Sequence, residues 1–88
     1  MIIVLYSKEN CSYCTKAKSL LDNLNLDYEE RKLEDYSNTD ALLEDIGKKV
    51  RTMPQIKINN ELIGGYNQLV EYFADKGRVN FKGEIVSE

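Results

Sequence analysis

The chain has 88 residues, 31% of them charged and 42% hydrophobic. That is the balance of an ordinary soluble protein with room for one modest core, so residues 1–88 are expected to form a single domain. The net charge of −3 argues against nucleic acid as the main partner, because phosphate binding needs a basic surface. No apolar run approaches the roughly 20 residues that span a bilayer, and the opening Met1–Tyr6 segment lacks a basic leader. A cytoplasmic protein without a membrane partner is expected, in a compartment that keeps thiols reduced.

Two cysteines, no histidine and no tryptophan narrow the chemistry. A zinc site wants about four Cys or His ligands, so no metal is expected. A catalytic Cys–His pair is excluded outright.

Taken in chain order, Ile2–Tyr6 is a continuous apolar run and predicts a strand buried on both faces. Ser7–Asn10 is a polar loop. From Ser12 to Asn25, Ala17, Leu20, Leu21 and Leu24 fall at i, i+3, i+4 and i+7, one face of a helix, with Lys16, Lys18, Asp22 and Asn23 on the wet side. Leu26–Leu33 predicts a second strand whose interior Glu29-Glu30-Arg31-Lys32 suits a sheet edge. Ser37–Lys48 predicts a helix with Ser37, Asn38 or Thr39 as its cap, Leu42, Leu43 and Ile46 inward and Gly47 at its end.

Gln55–Ile58 and Glu61–Ile63 predict two short strands joined tightly through Asn59-Asn60, since Asn tolerates positive φ. Gly64-Gly65 breaks the chain, and Asn67 is placed to cap a last helix carrying Leu69, Val70 and Phe73, which Gly77 ends. Residues 78–88 show little periodicity. The order β-α-β-α-β-β-α predicts an α/β fold with one mixed four-stranded sheet and helices on both faces.

Cys11-Ser12-Tyr13-Cys14 is a C-x-x-C that follows the first strand and opens the first helix. Two cysteines three apart on a first helical turn can approach disulfide distance without unravelling the backbone. Cys11 sits where the helix dipole and free N–H groups favour a thiolate, and Lys8 adds cationic charge. Cys14, one turn in, is expected to be more buried. Cys11 is therefore read as the nucleophile and Cys14 as the group that resolves the mixed disulfide. A stabilising disulfide or a pair of inert thiols is the alternative, and a reducing compartment speaks against both.

Tyr6-Ser7-Lys8-x-x-Cys11-x-Tyr13-Cys14, Thr52-Met53-Pro54 and Gly64-Gly65-Tyr66 together resemble the three site motifs of the glutaredoxin family, in the family's order. The resemblance covers about residues 1–76. It implies a thioredoxin-like fold, a cis peptide before Pro54, and glutathione as reductant. It also implies that Met53 pairs its backbone with the glutathione cysteinyl part. Lys8 and Arg51 would meet the glycine carboxylate, while the backbone of Gly65, Tyr66, Asn67 and Gln68 would take the γ-glutamyl carboxylate at a helix N-terminus. Tyr13 would flank the ligand, and Thr52 and Pro54 would also belong to the glutathione site. Expected clients are disulfide-containing proteins, among them ribonucleotide reductase, and the chain is expected to act as a monomer.

Three departures from the family pattern stand out. Ser12 replaces the frequent proline between the cysteines, Asn67 replaces a frequent aspartate, and the family's leucine-rich closing helix is missing from the tail. Two other readings stay open. One is a dimer bridging a [2Fe–2S] cluster through Cys11 and two glutathiones. The other is a glutaredoxin-like protein reduced by thioredoxin reductase.

Overall fold

Ile3–Ser7 forms the strand β1 around which the other elements are arranged in a computed structural model that describes residues 1–80. The chain continues through α1 (Ser12–Asn23), β2 (Glu29–Lys32), a 3-10 turn (Leu33–Asp35) and α2 (Thr39–Ile46). β3 (Gln55–Ile58), β4 (Glu61–Gly64) and α3 (Tyr66–Asp75) follow. The sheet order is β2-β1-β3-β4. β1 pairs in parallel with β2 and antiparallel with β3, which pairs antiparallel with β4. This is the expected mixed sheet, with β1 interior and the charged β2 at an edge.

Side chains alternate along β1, and each face has its own cluster. Ile3 and Leu5 join Leu20, Leu21, Leu69 and Phe73 on the side covered by α1 and α3. Tyr6 joins Leu42 and Ile46 on the side covered by α2. Helices therefore cover both faces, as the element order predicts.

Several boundaries differ from the sequence reading, each for a local reason. Ile2 is 71% exposed and lies outside β1, whereas Ser7 is buried and belongs to the strand rather than to the loop. α1 stops at Asn23 because Asn25 takes a left-handed φ of 58°. β2 is only four residues long, since Leu26 and Tyr28 turn into the core instead of extending the ladder. α2 ends before Lys48 because Gly47 adopts φ 88°.

Asn38 is the α2 cap, its Oδ1 accepting the Ala41 N–H at 2.8 Å. Asn59 and Asn60, with φ of 52° and 69°, close the β3–β4 hairpin in the left-handed conformation that suits the strand twist. Beyond Gly77, Val79 is buried in the α1–α3 cluster. The rest of the tail, residues 81–88, lies outside the described residues.

A polar network ties the edge strand to α2. Arg31 of β2 donates to Asp45 at 2.9 Å, the Tyr36 hydroxyl donates to the same carboxylate, and Lys57 Nζ donates to the Asp45 carbonyl at 2.9 Å. Burial first, and the Asp45 carboxylate second, push the Tyr36 hydroxyl up to about 12. A raised folded-state pKa gives stability that is present below the ordinary value of 10.0 and lost as pH rises toward about 12. Tyr36→Phe should cost about 1 kcal/mol at neutral pH and flatten the alkaline fall in stability. Urea unfolding followed from pH 8 to about 12 reads both effects.

Candidate active site

β1 delivers the chain through the Lys8–Asn10 loop to Cys11, which is the N-cap of α1. Its backbone is extended, and its Sγ accepts the Cys14 N–H at 3.1 Å. The sulfur thus does the work a Ser or Asp oxygen does at other helix starts. Cys11 and Cys14 are joined as a disulfide with Cα atoms 5.2 Å apart, within the ordinary range for such bonds. Cys14 is 2% exposed and Cys11 is half-buried. The expected asymmetry is therefore present: the capping sulfur is reachable and its partner is covered.

A second segment closes on the pair from the sheet side. The Met53–Pro54 peptide is cis, as the resemblance implies, and the Met53 carbonyl oxygen lies 3.5 Å from Cys11 Sγ. In the disulfide state that sulfur carries no proton, so the approach is a contact and not a hydrogen bond. Pro54 is buried, with Met53 half-exposed and Thr52 exposed beside it.

The third segment is the β4–α3 junction. Gly64 has φ 118° at the register shift between β3 and β4. A Cβ on Gly64 would stand 2.9 Å from Gln68 Cγ, and one on Gly65 would stand 3.3 Å from the Pro54 carbonyl. A side chain at position 65 would therefore crowd the Pro54 carbonyl, and glycine lets the two backbones lie this close without a shift. The N-cap of α3 is Gly65, not Asn67. Gln68 Oε1 reaches back to accept the Gly65 N–H at 3.0 Å, which satisfies the cap residue's own amide, while a glycine cap offers no side-chain acceptor to the first turn. Asn67 lies exposed in the first turn. The first-turn amides of Tyr66, Asn67 and Gln68 have no intrahelical partner and remain donors for an anion.

These segments form a groove of about 280 Å³ lined by Tyr13, Thr52, Met53, Pro54, Gly65, Tyr66, Asn67 and Gln68. Tyr13 and Tyr66 meet at its wall with ring centroids 5.9 Å apart, and Lys16 Nζ sits 5.0 Å over the Tyr13 ring. Eight of the sequence-predicted ligand contacts are thus brought together. The other two are not. Lys8 lines a separate cavity of about 690 Å³, which also receives Cys11 and Cys14. Arg51 is exposed and does not line the groove.

That larger cavity also holds residues the sequence reading passed over. Lys18, assigned there to the wet side of α1, is half-buried and donates to Glu30 at 3.1 Å. The buried Ser7 hydroxyl donates to the same carboxylate oxygen at 2.7 Å. The Ser7 hydrogen bond first, and Lys18 after it, hold Glu30 below the usual carboxylate range against its burial. The available signal was spacing, because Lys18 stands four residues after Cys14 on α1 and so shares its face.

A profile of the glutaredoxin family matches residues 3–63, and glutaredoxin 1 of Rickettsia typhi is 38% identical over 80 residues, covering 89% of this chain and 75% of that protein. The chain belongs to the glutaredoxin family. Human mitochondrial glutaredoxin-2 is 43% identical over 67 residues, 72% of this chain and 40% of that protein, so the chain spans well under two thirds of that relative's length. Among solved structures, a buckwheat glutaredoxin–glutathione complex superposes with a TM-score of 0.70 at 35% identity, over 84% of this chain and 69% of that one. Glutaredoxin 1 from Francisella tularensis, complexed with cacodylate, gives 0.71 at 28% identity, over 85% and 93%. The fold is thus the thioredoxin-like glutaredoxin fold. Family membership and the Cys11–Cys14 pair are consistent with thiol–disulfide exchange.

Gly64→Ala tests the β4–α3 junction. Positive φ and the clash with Gln68 should together cost about 1–3 kcal/mol. Gly47→Ala, at φ 88° but with open space around the new methyl, should cost less, about 1 kcal/mol. Chemical denaturation of both variants gives the comparison.

Proposed function

We propose that the chain is a dithiol glutaredoxin that uses glutathione to reduce protein disulfides and glutathione mixed disulfides. The observation that carries the reading is the groove beside Cys11, bounded by Thr52–Pro54 on one side and Gly65–Gln68 on the other. Its Met53 segment, just before β3 and outside the sheet ladder, offers backbone groups to a peptide. The α3 N-terminus offers amides and a positive dipole end to a carboxylate. A small anionic tripeptide thiol fits that combination. The bound glutathione of the buckwheat relative supports it.

In the forward half-reaction the Cys11 thiolate attacks a client disulfide and forms a mixed disulfide while one client thiolate leaves. Cys14 then attacks Cys11 Sγ, releases the second client sulfur and leaves the Cys11–Cys14 bond. One glutathione opens that bond by attack at the half-buried Cys11. A second removes the first as glutathione disulfide and restores both thiols. When the substrate is a glutathione mixed disulfide, Cys11 alone can complete the cycle. Disulfide-containing proteins are the proposed clients, with ribonucleotide reductase among them, and a monomer in the reducing cytoplasm is the proposed working form. The charged Asp of many relatives is Asn67 here, so the ligand's amino group gains a hydrogen-bond acceptor but no ion pair.

Cys14→Ser should keep glutathione removal from mixed disulfides and lose reduction of protein disulfides, whereas Cys11→Ser should lose both. Activity of Cys11→Ser in either assay would sink the mechanism. Turnover measured with glutathione plus its reductase, and separately with thioredoxin reductase, identifies the reductant. Faster turnover with thioredoxin reductase would replace glutathione in the reading.

A further inference from the structure

Beside the disulfide lies a cavity whose charged pair the proposed chemistry leaves unused. Leu5 of β1 faces the α1–α3 core, and Ser7, two residues on, points to the same side. Glu30 pairs in register with Leu5 and also faces α1. Lys18 stands one helical turn beyond Cys14 on the same face of α1. The result is one oxygen of Glu30 held between the Ser7 hydroxyl at 2.7 Å and the Lys18 ammonium at 3.1 Å, in the cavity that Cys14 lines.

Surface ion pairs of this kind contribute little to stability, but this one is placed beside a thiol that must ionise. The remaining charged groups on the cavity are Lys8, Glu9, Lys32, Glu34 and Asp35. All five are exposed, where water and salt screen them. Lys18 and Glu30 are half-buried, and their charges are felt more strongly by Cys14.

We propose that Lys18 is a positioning residue for Cys14: its ammonium, held on the Cys14 face of α1 by Glu30 and Ser7, stabilises the thiolate that resolves the mixed disulfide. In that step the Cys14 thiol gives its proton to solvent in the cavity. The thiolate forms the bond to Cys11 Sγ, the bond between Cys11 and the client sulfur breaks, and the client sulfur leaves as a thiolate that takes a proton from water. Across both steps the client disulfide gains two electrons and the cysteine pair loses them. A cation near the attacking thiol raises its ionised fraction, and with it the rate. Glu30 acts in the opposite electrostatic sense through its charge, while a single side-chain oxygen at that position is enough to accept from both Ser7 and Lys18.

The inference rests on the dithiol chemistry proposed above, and the test separates the two. Cys11→Ser keeps a good helix cap and leaves Cys14 as the only thiol of the chain. In that background the rate of Cys14 alkylation by iodoacetamide is measured against pH. Adding Lys18→Met should lower the rate at pH 7 about three- to tenfold and move the alkaline midpoint upward, whereas Lys18→Arg should retain the starting profile. Adding Glu30→Gln, which keeps one oxygen to accept from Ser7 and Lys18 but removes the opposing charge, should raise the rate. A purely structural role would move Lys18→Met and Glu30→Gln in the same direction. That result, or an unchanged rate in Lys18→Met, would overturn the inference. Cys14→Ser that still reduced protein disulfides would instead overturn the dithiol chemistry itself, whatever the alkylation profile.

Discussion

The hydrogen bond from the Cys14 amide to the sulfur of Cys11 is the interaction on which the rest of the site depends. It makes one atom both the end of a helix and the centre of the chemistry. A cap must be extended in backbone and must present an acceptor to the first turn. Those demands hold the sulfur at the positive end of α1, three residues from its partner. β1, pinned between two neighbours, decides where that helix begins. The Met53–Pro54 and Gly65–Gln68 segments then have a fixed point to close upon.

Division of labour between the two faces of the sheet follows from the strand period. Odd-numbered residues of β1 serve the side of α1 and α3, where the disulfide, the ion pair of Lys18 with Glu30 and the larger core lie. Even-numbered residues serve α2, where Tyr6 sits under Arg31 and Lys57 and Asp45 gathers three donors. The first face carries exchange chemistry. The second face holds the edge strand and α2 together, so that β2 can present Glu30 to the other side.

How much of this was legible depended on whether one residue or two carried the signal. The buried β1, the apolar stripe of α1, the Asn59-Asn60 turn and the N-terminal seat of Cys11 are properties of single segments. Period and propensity reveal them. A glycine has no side-chain acceptor, so the sequence favours Asn67 as the cap of α3, whereas the fold caps at Gly65 with Gln68 reaching back to its amide. The short β2 was hidden because Leu26 and Tyr28 are as apolar as strand residues but pack from a loop. Family pattern places Lys8 and Arg51 with the groove, whereas in the fold Lys8 lines the other cavity together with the cysteines and Arg51 stays outside the groove. Glu30 looks like edge charge in the sequence, since nothing in its own segment announces Ser7 and Lys18.

Two consecutive residues of β2 carry opposite charges to opposite faces, and this makes the strand intolerant of slippage. Displacing β2 by one residue along β1 exchanges its faces. In one direction Arg31 would take the place of Glu30 and stand against Lys18. In the other, Glu30 would take the place of Arg31 and stand against Asp45. Either slip sets like charges together in a half-buried setting, so the four-residue strand proofreads its own alignment from both sides of the sheet.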